Sequence, residues 1–251
     1  MVLVPDSGDI SLIVLGCDGS WPGPDGAGSS YLIRIDDLAV LLDCGPGTAG
    51  PLQSHIDPGE LSAVVISHHH ADHWSDLYAL DAQARFGRSV RHRGRPLPVY
   101  APSAVRDRVG ADEVPSVEWH VVTDGDRASI GDLALAFHRT DHVDETLAVR
   151  IDGGGRALGY SADTGPGWAP SALGLGLDLL LCEATFTADH EGTAQHLSGR
   201  QAGQAARDAE VGRLIITHRW PSASASAVLA EAEAAYGGPV EQAVRGNHYE
   251  L

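Results

Sequence analysis

The sequence predicts a layered α/β sandwich, in which helices cover the outer faces of two mixed β-sheets. Eleven short apolar runs bounded by Gly and Asp predict strands, and only four longer windows of helix-forming residues lie between them. The stretch LLDCGPG (41–47) is echoed by SADTGPG (161–167), as expected for two similar halves packed face to face. So many strands with so few long helices favour this architecture over a parallel doubly wound sheet.

The predicted elements follow one another along the whole chain, which we expect to form one domain over residues 1–251. The strands are rich in leucine and β-branched residues, and they cover residues 11–16, 31–35, 38–45, 63–68, 97–101, 117–122, 133–138, 146–151, 157–163, 177–184 and 213–218. The helices cover residues 72–86, 103–109, 198–209 and 223–236, and the last two have a Ser in the N-cap position. The stretch RSVRHRGRP (88–96) predicts a basic, solvent-exposed loop.

The charge balance restricts the partners. The chain has 34 acidic residues against 17 basic ones, all of them Arg, which gives a formal net charge of −17. Such a field repels long polyanions, because nucleic-acid binders gain most of their affinity from basic surfaces. A small-molecule substrate therefore fits better than a long nucleic acid, and the absence of Lys excludes a Schiff-base mechanism.

Cysteine usage and hydropathy point to the cytoplasm. The 3 cysteines, Cys17, Cys44 and Cys182, are widely spaced and form no C-x-x-C pair, so we expect reduced thiols rather than a disulfide framework. Neither a cleavable leader nor an apolar run long enough to span a bilayer is visible. We therefore expect a cytoplasmic protein with no membrane association.

The segment ISHHHADHW (66–74) carries the densest group of metal-binding side chains. If the strand continues through the histidines, alternation places His68 and His70 on one side and His69 on the other. Asp72 and His73 are then expected to start the following helix, where a turn brings them back towards the first pair. Imidazole nitrogens with a carboxylate suit Zn²⁺, with Mn²⁺ or Fe as alternatives.

Three further candidate ligands lie at or after the ends of other predicted strands. His142 follows FHRTD, Asp163 ends LGYSAD, and His218 ends RLIITH. Because His68 also ends a strand, all four could meet at one edge of the sheets. His138, four residues before His142, is the rival candidate for that ligand position, although we expect it to be structural.

These motifs resemble those of the metallo-β-lactamase-fold hydrolases, and within them the ribonuclease Z-like branch. SHHHADH matches the H-x-H-x-D-H motif of the family, and TDHVDET, YSADTG and ITHRWP match later motifs. The resemblance implies a four-layer αββα sandwich that holds two metal ions, most simply two Zn²⁺. It assigns His68, His70 and His142 to the first metal, Asp72, His73 and His218 to the second, and Asp163 to a bridging position between them.

The same resemblance implies further site residues. CEATF (182–186) and HLSGRQAG (196–203) match motifs in which a glutamate orients a histidine, so Glu183 would hold His196 as a proton donor or oxyanion partner. The alternative is an ordinary surface histidine before a helix-capping Ser198. Ser20 and Trp21, in the Gly- and Pro-rich stretch 16–24, are candidates for a wall against the substrate. Asp43 would support the metal loop from beneath.

The function implied by these assignments is metal-dependent hydrolysis. Two metal ions share and activate a water, which Asp72 would also ligate and orient. Glu183 and His196 favour a small phosphodiester, such as a cyclic nucleotide or a nucleotide-like molecule. Only 20 residues separate His142 from Asp163, which leaves no room for the long arm that grasps tRNA in ribonuclease Z.

Other functions stay open on the sequence alone. The first alternative is a carboxylic ester, lactone or thioester hydrolase that uses the same metal centre. A non-catalytic metal-dependent sensor and a tRNA 3′-processing endoribonuclease fit the sequence less well. Relatives of this branch often form homodimers, which leaves a homodimer open as the assembly of this chain.

Overall fold

The computed structural model describes residues 8–87 and 96–251, so the predicted basic loop at 88–96 lies, except for its last residue, outside the described part. The described strands are β1 (Ser11–Gly16), β2 (Ser30–Ile35), β3 (Leu38–Leu42), β4 (Ala63–Val65), β5 (Leu97–Ala101), β6 (Val117–Val121), β7 (Arg127–Ile130), β8 (Leu133–Arg139), β9 (Leu147–Gly153), β10 (Arg156–Tyr160), β11 (Leu179–Glu183), β12 (Leu214–Thr217), β13 (Glu241–Gln242) and β14 (His248–Glu250). The α-helices are α1 (Ala49–Leu52), α2 (Leu77–Phe86), α3 (Ser103–Val109), α4 (Gly199–Asp208) and α5 (Ala225–Tyr236).

The strands form two seven-stranded sheets that each mix antiparallel and parallel pairs. The first has the order β14-β1-β2-β3-β4-β5-β6 and is parallel from β3 to β6. The second has the order β13-β12-β11-β10-β9-β8-β7 and is parallel from β10 to β13. Within each sheet, the carboxyl ends of these parallel strands leave at one edge, where functional loops are commonly found.

Alternation along the strands builds the inner and outer layers. In β1, Leu12 and Val14 enter the core between the two sheets, whereas Ile13 and Leu15 face the helices on the outside of the first sheet. Leu181 of β11 joins the same central core from the second sheet. Three separate apolar cores therefore hold four layers together.

The helices close the two outer faces. Leu77 of α2 and Val105 of α3 lie in the core outside the first sheet, and Ala202 of α4 and Val228 of α5 lie in the core outside the second. This arrangement confirms the predicted αββα sandwich with two mixed sheets. The N-cap prediction is also confirmed, because Ser198 forms a capping box with Gln201 at the start of α4.

Six predicted strands end earlier in the structure than in the sequence-based prediction, and four of them lead into the candidate site. Strands predicted to reach residues 45, 68, 163 and 218 end at residues 42, 65, 160 and 217. Three of these ends are followed by non-glycine residues with positive φ: Asp43 at 54°, Ala162 at 50° and His218 at 53°. Such conformations are rare for side-chain-bearing residues and turn the chain out of the sheet.

The predicted helix at 72–86 begins too early. Residues Ala71–His73 form a 3₁₀ turn, and α2 starts only at Leu77. Asp72 and His73 therefore lie in a separate tight turn rather than in the first turn of an α-helix. The prediction also missed α1, β7, β13 and β14, which are short and carry weak apolar patterns.

Helices α4 and α5 touch through glycine. A Cβ atom on Gly203 would lie 2.3 Å from the backbone oxygen of Ala232, and one on Gly199 would lie 2.1 Å from the backbone oxygen of Val228. These contacts are with backbone, so no side-chain rotation relieves them. We predict that Gly203→Ala lowers the free energy of unfolding by about 1–3 kcal/mol, although Ala ordinarily favours a helix.

Chemical denaturation of the purified variant measures this effect. Gly50→Ala in α1 is the matched control, because a Cβ there meets nothing within 4 Å. We expect Gly50→Ala to keep or slightly raise the free energy of unfolding. Equal stability of Gly203→Ala and the wild type would contradict the close helix packing.

Candidate metal centre

The predicted ligands meet at the shared edge of the two sheets. His68 and His70 lie in the loop after β4, Asp163 follows β10, and His218 follows β12. His142 lies in the turn between β8 and β9, and β9 runs antiparallel to β10, which brings this turn to the same edge. Topology thus gathers residues that are up to 150 positions apart in the chain, from 68 to 218.

The first group of donors contains three imidazoles and one carboxylate oxygen. His68 Nε2 lies 3.0 Å from His70 Nδ1, and His142 Nε2 lies 3.3 Å from the same His70 atom. Asp163 Oδ2 lies 3.6 Å from His68 Nε2 and 3.8 Å from His142 Nε2. These four donors all lie within 4.8 Å of one another.

The second group has the same form. His73 Nε2 and His218 Nε2 are 3.3 Å apart, and each lies 3.4 Å from Asp72 Oδ2. Asp163 contributes its other oxygen here, since Oδ1 lies 3.3 Å from both nitrogens. The carboxylate of Asp163 therefore presents one oxygen to each group.

The donor spacing fits metal ions. In a tetrahedral site with metal–nitrogen distances near 2.0–2.1 Å, neighbouring ligand atoms are about 3.3 Å apart. Asp163 Oδ1 is buried and accepts no hydrogen bond, although two imidazole nitrogens lie 3.3 Å away. Asp163 Oδ1 is thus near both nitrogens without the alignment of a hydrogen bond, which is the arrangement that a shared cation requires. The residues present therefore fit a metal cofactor.

For four of the five candidate imidazoles, a hydrogen-bond partner on the far side of the ring fixes which nitrogen faces the centre, whereas His70 presents Nδ1. His73 Nδ1 donates to Asp43 Oδ2 at 2.7 Å, and His142 Nδ1 donates to the backbone oxygen of Gln195 at 2.9 Å. With the proton held on Nδ1, Nε2 is free to bind a metal. His68 and His218 follow the same rule, with their Nδ1 atoms 3.0 Å from Ser67 Oγ and 3.1 Å from Thr185 Oγ1.

Burial and charge set the protonation of the donors. Burial, together with the neighbouring imidazoles, holds the pKa of His68 well below its usual value, and burial also lowers the pKa of His70 and His142. Burial opposes the charged form of His73 as well, but Asp163, Asp72 and Asp43 raise its pKa. The imidazoles of the first group therefore favour the neutral form that can bind a metal, beside the anionic Asp163, whereas His73 favours the charged form and would lose a proton on binding a cation.

Asp43 supports the metal loop from beneath. It is completely buried, and its carboxylate accepts hydrogen bonds from the backbone N–H and the hydroxyl of Ser67 at 2.7 and 2.9 Å. The hydroxyl of Tyr160, on the opposite sheet, donates to the same carboxylate at 2.6 Å. Together with the bond from His73, these contacts tie the loop to both sheets.

Glu183, which is buried, and His196, which is partly buried, form a pair beside the centre. Glu183 Oε1 lies 2.9 Å from His196 Nδ1, and the ring of His196 lies 5.0 Å from that of His142 and 5.3 Å from that of His218. Glu183 also accepts hydrogen bonds from the backbone N–H groups of Thr164 and Leu197. Its carboxylate is thus fixed by the backbone and in turn fixes the imidazole.

This pairing changes the proton affinity of His196. Burial favours the neutral ring, but the charge of Glu183 and its hydrogen bond outweigh burial and raise the pKa of His196 to about 9. One nitrogen of the ring, one oxygen of Asp163 and one nitrogen of His218 also lie within 4.8 Å of one another. His196 is therefore close enough to act on whatever binds at the centre.

The stretch 16–24 lies against the Asp72 side of the centre. The backbone N–H of Ser20 donates to Asp72 Oδ2 at 2.8 Å, and the hydroxyl of Ser20 accepts a hydrogen bond from Trp220 Nε1 at 3.1 Å. The loop passes close to the predicted ligand His218, since a Cβ atom on Gly19 would lie 2.4 Å from the backbone oxygen of His218. Trp21 follows with 46% of its surface exposed.

The histidines outside the donor groups have other neighbours. His69 Nε2 points to Asp144 Oδ2 at 3.3 Å, away from the seven donors. His138 lies within β8, where it pairs with Ala148 of β9. Sequence reasoning did not identify Gln195, Thr185 or Tyr160, which have no distinctive spacing and contact the site only through the fold.

A four-layer αββα sandwich with His and Asp donors at its shared sheet edge defines the class of metallo-hydrolases with the metallo-β-lactamase fold. Residues 39–219 match the family model described as the beta-lactamase superfamily domain. The chain therefore belongs to the β-lactamase superfamily.

Similar proteins come from several organisms. Rv1339 of Mycobacterium tuberculosis, an uncharacterized protein, is 36% identical over 255 residues, which cover 96% of this chain and 92% of that protein. The probable metallo-hydrolase YhfI of Bacillus subtilis is 28% identical, and its crystal structure matches with a TM-score of 0.89 over 97% of this chain and 100% of that chain. The short form of human tRNase Z shares the fold, with a TM-score of 0.76, 20% identity and coverage of 95% of this chain and 98% of that chain.

The described residues contain no helix that is long and apolar enough to cross a membrane. The three cysteines are free, with Cys44 and Cys182 buried and Cys17 partly buried. Burial raises the pKa of Cys182 to about 12, so its thiol stays protonated and unreactive.

Proposed function

We propose that this protein is a phosphodiesterase that hydrolyses a small phosphodiester at a centre of two divalent metal ions, with Zn²⁺ as the first candidate and Mn²⁺ or Fe as alternatives. His68, His70 and His142 would hold one ion, Asp72, His73 and His218 the other, and Asp163 both. A bound pair of divalent cations supplies an activated water and neutralises the charge of the ester oxygens. Every other step is assigned to side chains of the chain itself.

The observation that carries the proposal is the Glu183–His196 pair. Because Nδ1 is bonded to Glu183, Nε2 of His196 is the nitrogen that can donate a proton to a leaving oxygen. The charge of Glu183 and its hydrogen bond raise the pKa of His196, which favours the protonated ring. A cationic imidazole beside cationic metals favours an anionic diester over a neutral carboxylic ester or lactone.

Asp72 has a supporting role at the same centre. Burial opposes its ionisation, but the charge of His73 and hydrogen bonds from His218 and His73 hold the pKa of Asp72 well below its usual range. The backbone N–H of Ser20 fixes the orientation of Oδ2. Asp72 is therefore an anionic group of fixed direction, suited to ligating a cation and orienting a water.

The substrate is proposed to be small for two reasons. The chain between His142 and Asp163 is occupied by the β9–β10 hairpin, which leaves no segment there for an arm that grasps tRNA. The net charge of −17 repels a long polyanion, whereas a single phosphodiester carries one charge.

A substrate panel with the metal-loaded protein tests the proposal. We expect hydrolysis of bis-p-nitrophenyl phosphate with a kcat/KM well above that for lactones and thioesters. The release of p-nitrophenol measures the rate of diester hydrolysis. The Asp163→Ala variant, purified in the same way, serves as the control for contaminating phosphodiesterases. Hydrolysis of lactones or thioesters without hydrolysis of the diester would favour the carboxylic ester alternative, and metal binding without any turnover would favour a sensor.

A further inference from the structure

An aromatic wall flanks the Asp72 side of the metal centre. The rings of Trp21 and Trp220 lie 6.0 Å apart between centroids and are tilted by 31°. Phe186 packs edge-on against Trp220 at 5.4 Å and is itself completely buried. Trp21 leaves 46% of its surface open. We refer to Trp21 and Trp220 as the tryptophan pair.

The tryptophan pair is held in place by hydrogen bonds. The backbone N–H of Trp220 donates to the backbone oxygen of Thr185 at 3.0 Å, and its indole N–H donates to Ser20 Oγ at 3.1 Å. Ser20 in turn donates its backbone N–H to Asp72 Oδ2. Only Ser20 therefore separates Trp220 from a proposed metal ligand. The pair is organised before any substrate arrives, which lowers the entropy cost of binding.

The loop that carries Trp21 is also fixed. Asp18 Oδ2 accepts the backbone N–H of Gly23 at 2.8 Å, and a Cβ atom on Gly26 would lie 1.9 Å from the same oxygen. The chain bends around this carboxylate. The position of Trp21 is therefore set by hydrogen bonds from the backbone N–H of Ser20 before it and of Gly23 after it. An exposed aromatic residue on a rigid loop is suited to presenting one face to a ligand.

Arg219, the chain neighbour of Trp220, does not offer an ionic alternative for recognition. Arg219 donates from Nη1 to the backbone oxygen of Trp220 at 2.7 Å and also to the backbone oxygen of Ala223. Its guanidinium therefore supports the chain beneath the wall. Stacking on an indole face is the interaction that the tryptophan pair supplies, and it selects planar rings rather than charge.

Resting on the proposed phosphodiesterase function, we propose that the tryptophan pair binds the nucleobase of the substrate, so that the substrate is a nucleotide-derived phosphodiester. The phosphate group lies at the metal centre, and the base stacks on the wall beside Asp72. Trp220, for which the sequence analysis gave no role, would bind the base. Trp21, which was a candidate for a wall against the substrate, would stack on the same base.

Competitive inhibition of bis-p-nitrophenyl phosphate hydrolysis tests the base site. Adenosine 5′-monophosphate and ribose 5-phosphate carry the same phosphate and sugar, and only the first carries a base. We expect adenosine 5′-monophosphate to have an inhibition constant about 10-fold lower in the wild type, and Trp21→Leu to remove this difference, since stacking of a base on an aromatic side chain contributes on this order. Trp21→Phe retains an aromatic face and should keep most of the preference.

Phe86→Leu is the matched control, because Phe86 is an exposed aromatic residue, 73% accessible, at the far end of α2. It should leave both inhibition constants unchanged, and metal content should stay constant in all three variants. Equal inhibition constants in the wild type, or a preference that survives Trp21→Leu, would overturn the base site while leaving the phosphodiesterase intact. If the wild type does not hydrolyse the diester, the proposed function fails, and calorimetric binding of the two monophosphates to the metal-loaded protein then decides the base site separately.

Discussion

Replacing Asp163 by Ala is expected to lower kcat/KM for bis-p-nitrophenyl phosphate by about 10³-fold or more. Its two carboxylate oxygens each face one donor group, so a single substitution removes a ligand from both. Asp163 is only 2% exposed, and no other described carboxylate belongs to both groups. Steady-state kinetics with an excess of Zn²⁺ measures the loss.

Two further variants make this result interpretable. Asp163→Asn keeps the shape of the side chain, so a loss of activity there cannot be attributed to a cavity. His69→Ala removes the histidine between His68 and His70, whose ring points to Asp144. This variant should retain nearly full activity. Wild-type turnover in Asp163→Asn and Asp163→Ala, with both folded, would refute the assignment of Asp163 as the shared ligand.

Replacing His196 by Ala is expected to lower kcat by about 10²–10⁴-fold, the usual contribution of a positioned general acid. Metal content should stay close to that of the wild type, because the seven other donors remain. Glu183→Gln should cause a smaller fall, since it keeps the hydrogen-bonding shape but removes the charge that raises the pKa of His196. Kinetics and elemental analysis on the same samples test both statements.

The outcome also distinguishes two roles for His196. If turnover is unchanged in His196→Ala, the proton-donor role is wrong. If the variant loses metal as well as activity, His196 acts as a ligand with Asp163 and His218, which lie close enough to form such a group.

Much of the fold could be predicted because successive side chains along the strands point alternately into the central core and into an outer core. Strands such as β5, which matched residues 97–101, are short apolar runs between turns. The ends of strands near the site were missed because Asp43, Ala162 and His218 adopt positive φ values, which propensity does not predict for these residue types. Residue propensity also placed the start of a helix at Asp72, where the chain forms a 3₁₀ turn.

The donor residues were accessible to sequence reasoning because metal ligands need particular residue types at restricted spacing. The grouping of His68 with His70, and of Asp72 with His73, also appears in the structure, although the chain there is not a strand followed by an α-helix. Gln195 supports His142 with a backbone oxygen, a group that every residue carries and that no sequence pattern reveals.

Tyr160 and Trp220 illustrate a different limit. Both lie inside motifs that the sequence analysis quoted, YSADTG and ITHRWP, but their contacts are with Asp43 and Ser20, which are more than 100 positions away in the chain. A buried tyrosine at the end of a strand and a tryptophan before a proline are ordinary core and loop residues by pattern. Only the packing of the two sheets shows what they touch.

Metal stoichiometry tests the central claim most directly. Elemental analysis of the purified protein, saturated with Zn²⁺ and freed of excess ion, should find two ions per chain in the wild type and in His69→Ala. It should find a sharp fall in Asp163→Ala, because each donor group loses one oxygen. A saturated wild type that holds one ion or none, or an Asp163→Ala variant that keeps two, would contradict a dinuclear centre bridged by Asp163.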